Sequence, residues 1–96
     1  MKRIRWHRRA TAELRAAAAW YKREAEGVDE RFLAQVEHAV NLLRDFPAMG
    51  TIVHRDYRRV LVNGFPYSVL YREHETFVRV VAVVHHKLDP QGWIGR

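Results

Sequence analysis

The sequence predicts an α+β fold in the order β-α-α-β-β-β, an antiparallel sheet with an N-terminal helical hairpin packed on one face. Three observations lead there. Apolar residues recur with helical spacing from about residue 9 to residue 46, and after residue 50 the period switches to two. Between two of the alternating runs stands Asn63-Gly64, a strong hairpin signal. The chain has 96 residues and shows no repeat, low-complexity tract or linker. It therefore reads as one domain, 1–96, with one modest core.

Each element has its own local reason. Ile4 and Trp6 alternate with charges, as in a short edge strand over residues 2–6. Leu14, Ala17, Ala18, Tyr21 and Ala25 then follow the i, i+3, i+4, i+7 spacing of a buried stripe. The alanine run 16–19 favours helix and lets a neighbour approach closely. Gly27 is placed to end this helix in the left-handed conformation, and Asp29 to cap a second one. The second stripe is Phe32, Val36, Ala39, Val40 and Leu43, and Pro47 and Gly50 close it. Residues 58–62 read as a strand, Asn63-Gly64 as a type I′ turn, and residues 65–73 as the return strand with Pro66 near its start. His74-Glu75 make the next turn, and 76–86 form the last strand. Both faces of 78–84 are apolar, so that strand is central and covered by the helices on one side.

Charge is the informative bulk property. Lys and Arg number 17 against 11 Asp and Glu, a net charge of +6. Residues 1–12 hold five basic residues and no acid, and residues 46–96 hold seven bases and four acids. The helical middle, 13–45, reverses the balance with seven acids and five bases. The excess therefore lies on the sheet and favours an anionic partner. With no cysteine, disulfides, thiol catalysis and thiolate zinc sites are excluded, as suits a reducing cytoplasm. No apolar run reaches the roughly 20 residues of a membrane span, and no signal-peptide core follows the basic N-terminus.

The central strand delivers His85, His86 and Lys87 to its end. Adjacent strand residues point to opposite faces, so the two histidines do not chelate one metal, and no ligand motif is present. His85 and Lys87 share a face with Arg79, Val81 and Val83, about 7 Å apart at ~3.3 Å per residue. A histidine beside a cation can read a phosphate or move a proton. Paired Arg58 and Arg59 open the strand before the hairpin and split between faces, so at most one joins His85. Tyr67 and Tyr71 alternate along the next strand, a pattern of core residues or of a base-stacking sheet surface. Trp6 and Trp93 read as anchors against the sheet.

The ordered set of segments resembles the RelE/ParE superfamily of type II toxin–antitoxin toxins, or plasmid stabilisation proteins, over nearly the whole chain. The specific parts are Pro47-x-x-Gly50, Arg58-Arg59, Phe65-Pro66-Tyr67 with Tyr71, and Ala82-Val83-x-His85-x-Lys87 followed by Pro90 and Trp93. The resemblance implies a cytoplasmic toxin that needs no cofactor or metal and is masked by a cognate antitoxin, with operator DNA reached through the antitoxin. Its two branches differ in target. The RelE-like branch cuts mRNA on the ribosome without metal, and there His85, Lys87, Arg58 and Arg59 would be catalytic. The ParE-like branch poisons DNA gyrase. Tyr67 stands about where the ribonuclease branch carries an arginine, which tips the reading toward gyrase. Target contacts are then expected from Tyr67, Tyr71, His86 and Arg79. The alternatives are the metal-free ribonuclease and an inactive toxin that serves only in an antitoxin–operator repressor complex.

Overall fold

The computed structural model describes residues 1–87 and 91–96, so the Pro90 of the family pattern lies outside the described residues. The order is β1 (Arg3–Trp6), α1 (Arg8–Glu24), α2 (Val28–Asp45), β2 (Thr51–His54), β3 (Tyr57–Leu61), β4 (Tyr67–Glu73), β5 (Phe77–His85) and a 3₁₀ turn at Gln91–Trp93. The two helices pack as a hairpin on one face of the sheet. α2 buries the predicted stripe of Phe32, Val36, Ala39, Val40 and Leu43. The α1 stripe of Leu14, Ala17, Ala18 and Tyr21 meets the same core. Gly27 is left-handed at φ 79°, but the N-cap of α2 is Gly27 itself rather than Asp29. Asp29 sits in the first turn, where a carboxylate faces the positive end of the helix dipole.

The sheet order is β1-β5-β4-β3-β2. The α+β class and the one-sided helical hairpin stand as expected, while the sheet differs in two respects. Thr51–His54 adds a fifth strand, paired antiparallel to β3. It is four residues long and exposes both Ile52 and Val53, so it carries no alternation to announce it. The N-terminal strand runs parallel to β5, which makes the sheet mixed. The hairpin turn also differs. Phe65 N–H donates to Val62 O across Asn63-Gly64, and positive φ occurs at Gly64 alone, as in a type II turn rather than a type I′ turn. The ladder resumes where Val62 N–H donates to Tyr67 O. Pro66 has no N–H for a tighter pairing, so the connection lengthens.

A bulge in β5 decides which side chains share a face. Tyr71 pairs with Val80 and Leu70 with Ala82, which leaves Val81 unmatched. Val78, Val80 and Val83 point into the helix-side core. Val81 and Ala82 point the other way, into a second small core with Tyr57, Leu70 and Trp93. Trp93 thus anchors the C-terminal segment on the face without helices, and Gly95 N–H donates to Tyr57 Oη at 2.8 Å.

Tyr71 is wholly buried, and its hydroxyl holds the connection between α2 and β2. It donates to Pro47 O at 2.7 Å and accepts from Gly50 N–H at 2.9 Å. A Cβ on Gly50 would stand 2.6 Å from that oxygen and 2.9 Å from Arg59 O, so glycine is required there. The Pro47-x-x-Gly50 and Tyr71 motifs are therefore two halves of one contact, and Tyr71 is a core residue rather than a base-stacking one. Tyr71→Phe leaves Gly50 N–H and Pro47 O without their partner. It should cost about 1–3 kcal/mol in urea unfolding while the circular dichroism spectrum is unchanged.

Candidate functional site

Among the described residues, β5 has a strand on both sides only as far as Val80. β1 ends at Trp6, opposite Val80, and His7 N–H closes the ladder on Val80 O at 2.9 Å. Beyond that point the outer edge of β5 meets side chains instead of a strand. Val83 N–H donates to Glu13 Oε1 at 3.1 Å, and Val81 O accepts from Arg96 Nη1 at 2.8 Å. Arg96 and Glu13 are themselves joined by two contacts of 3.0 and 3.1 Å. This pair, one residue from α1 and one from the C-terminus, imitates the backbone of a missing neighbour. By the two-residue strand period, the N–H of His85 points toward the same edge as that of Val83.

Beside this edge runs a groove of about 740 Å³ between α1 and β5. Glu13, Ala16, Ala17, Trp20 and Tyr21 line its helical wall, on helical spacing. Val83 and His85 line the strand wall, Tyr67 lies at the inner end, and Trp93 with Arg96 closes the outer side. The short alanine side chains open the groove, and Trp20, 49% exposed, stands at its rim. Tyr21, Phe32, Phe65 and Tyr67 cluster beneath it with centroids 5.1–6.1 Å apart, all edge to face except the tilted Tyr21–Phe32 pair. Burial pushes the Tyr21 and Tyr67 phenols up, so both stay neutral. The groove is apolar in its depth, with an open backbone edge on one side.

The structure brings some of the predicted site residues together and separates others. His85 is in the groove, its ring edge-on to Tyr67 at 5.1 Å. Lys87 lies past the end of β5, where the chain turns and its N–H donates to His85 Nδ1 at 3.0 Å. His86 is on the opposite face, 2.9 Å from the buried Ser68 hydroxyl. Arg58 points to the helix side and donates to Ala48 O and Gly50 O at 3.1 and 2.8 Å. Arg59 lies on the other face, where it lines a small cleft with Ser68, His86 and His85, so one of the two paired arginines does share a cleft with His85. The bulge at Val81 puts Arg79 on the face away from His85, contrary to the alternation read from the sequence. Glu13, Trp20 and Arg96 were not foreseen. Among these, Trp20 had a signal, being a large aromatic off the buried stripe of α1. Among the described residues no three His, Asp or Glu side chains are grouped to hold a metal, and no helix is long and apolar enough to cross a membrane.

A family model for the ParE toxin of the type II toxin–antitoxin system parDE matches residues 4–90. The chain belongs to the ParE toxin family. It is 30% identical over 92 residues to the Sinorhizobium fredii protein described as "Putative toxin Y4kP", covering 94% of this chain and 95% of that one. Its fold matches a solved chain from the chromosomal ParDE toxin–antitoxin system of P. aeruginosa, with a TM-score of 0.76 at 18% identity. That match covers 88% of this chain and 96% of the other.

The Glu13–Arg96 brace gives this ParE-family chain a measurable weak point. Glu13→Ala strands the half-buried Arg96 guanidinium and the Val83 N–H. It should cost about 1–3 kcal/mol in chemical unfolding. The double variant Glu13→Ala/Arg96→Ala should cost less than the two single changes added together, because each single change leaves the other group unpaired.

Proposed function

We propose that this ParE-family toxin is neutralised by an antitoxin segment seated in the groove between α1 and β5, and that the freed toxin acts on DNA gyrase. The observation that carries the first part is the edge of β5 at its His85 end, beyond the groups that Glu13 and Arg96 satisfy, where among the described residues an apolar groove rather than a strand lies beside the backbone. An extended segment placed there gains main-chain hydrogen bonds from the edge and buries an apolar side chain over Ala16 and Ala17 against Trp20. The net charge of +6 favours an acidic segment. Family membership supports gyrase as the target. The tether of Arg58 to Ala48 O and Gly50 O and the turn at Lys87 also favour it, since they leave Arg59 as the one arginine of the set in a cleft with His85, and phosphoryl transfer needs its proton carrier and several cations around one phosphate.

The test uses three strains expressing the wild type, Trp20→Glu and His85→Gln, each with and without the antitoxin encoded beside the gene. Trp20→Glu should weaken antitoxin binding by at least ~30-fold, the size of an interface hot spot, and leave growth arrest that the antitoxin no longer relieves. His85→Gln should stay toxic, with gyrase supercoiling inhibited in vitro and mRNA intact. Unchanged antitoxin affinity in Trp20→Glu would remove the groove from the account. Cleaved mRNA in the wild type, abolished in His85→Gln, would replace gyrase with a ribonuclease mechanism.

A further inference from the structure

The face of the sheet away from the helices carries a row of arginines that neither the groove nor the core explains. Strand register places Arg5 of β1 directly opposite Arg79 of β5, and Arg79 directly opposite Arg72 of β4. Ile4, Trp6, Val78, Val80 and Tyr71 all point into the helix-side core, so the arginines between them point outward together. At ~4.8 Å between strands the three span about 10 Å. Arg3, two residues before Arg5, extends the same face. Among the described residues Arg72 has a carboxylate partner, Asp56 at 3.0 Å, and Arg3, Arg5 and Arg79 have none. The side-chain hydrogen bond from Arg72 holds the Asp56 carboxyl below its usual range.

This arrangement is electrostatically uphill. Like charges directly opposite on neighbouring strands are destabilising. The adjoining start of α1 adds to the conflict, because Arg8 and Arg9 fill its first turn and no acid does. Cations at that end oppose the helix dipole. Burial, and then Arg79, Arg96, Arg8 and Arg9, hold the His7 imidazole below its ordinary value, which registers the local positive field. Two unfavourable choices in one place are the signature of a surface whose counter-charges come from a ligand.

We propose that the Arg3, Arg5, Arg79 and Arg72 face binds the phosphate backbone of double-stranded DNA without reading its sequence. The aromatics on this face decide between backbone and base. Arg5 lies 4.6 Å over the Phe77 ring, whose other neighbour is the stacked His74 at 4.5 Å. Arg72 lies 4.7 Å over Tyr57, which is itself buried. Both rings serve as platforms that hold guanidinia toward solvent, so neither is free to stack an unpaired base. What the face offers is charge on a flat support, which suits the regular phosphate array of a duplex. A row of ~10 Å spans about three nucleotides of one strand at 3.4 Å per nucleotide. The proposal goes beyond the groove reading and does not depend on it, since the row lies on the other face of β5.

The test is fluorescence anisotropy of the full chain, without a partner, on a 20-base-pair duplex of arbitrary sequence across a salt series. Binding should be micromolar or weaker, and the slope of log affinity against log salt should be near −3, for about three phosphates contacted. Arg79→Ala should lower that slope by about one and Arg5→Ala/Arg79→Ala by about two, for any duplex sequence. Arg79→Ala should not lose melting temperature, because it removes like-charge repulsion, and Arg79→Gln provides a second neutral variant should the alanine protein fail to fold. The helix-surface controls Arg23→Ala and Arg31→Ala should leave the slope unchanged. The proposal is overturned if the duplex is not bound at low salt, or if the controls weaken binding as much as Arg79→Ala. It is equally overturned if single strands bind more tightly than duplex, or if polyglutamate of equal charge competes as well as DNA.

Discussion

The half-flanked state of β5 governs the rest of this molecule. β1 supplies a parallel neighbour for Phe77 to Val80 and stops, because the chain must turn at His7 to begin α1. The remaining half of the strand carries backbone groups that need partners in a largely apolar setting, where an unmet donor or acceptor costs about as much as a lost hydrogen bond. Glu13 and Arg96 meet the first of them with side chains. That solution ties α1, β5 and the C-terminal segment to one another, and it leaves the strand edge toward His85 open beside the groove. Among the described residues the fold is thus complete in its core and incomplete along one line.

The bulge at Val81 is the second constraint, and it separates two surfaces that a regular strand would have merged. Without it, His85 and Arg79 would face the same way, and the basic row would run into the groove. With it, the helix side of β5 ends in His85 and an apolar slot, while the other side keeps Arg79 among Arg5 and Arg72. One strand therefore presents an apolar groove wall and a cationic face on opposite sides.

Much of the fold was legible because its signals are local. The stripes of α1 and α2 follow from helical period alone, and the turn at Asn63-Gly64 from residue chemistry. What escaped was non-local. Residues 80–84 are apolar on both faces, so nothing in their order marks the phase change at Val81. The parallel pairing of β1 with β5 joins residues more than seventy positions apart. β2 was missed because Ile52 and Val53 are both exposed and give no alternation. The site was legible in part. His85 and Tyr67 do lie together, and Arg59 shares a small cleft with His85, but Arg79, Arg58 and Lys87 are drawn away by the bulge, by the tether to Ala48 and Gly50, and by the turn past β5. The alanine run pointed to a close neighbour, though α1 alone could not show that this neighbour is an open strand edge.

Amide hydrogen exchange, with and without the cognate antitoxin, tests the central claim most directly. If the antitoxin adds a strand to β5, the His85 amide should slow by several orders of magnitude on complex formation, because a groove-facing N–H becomes part of a ladder. Amides of β2, at the other edge of the sheet, should exchange as before. Unchanged exchange at His85 together with new protection at Ile52 and Val53 would contradict the account, placing the partner on the far edge and leaving the open half of β5 without a role.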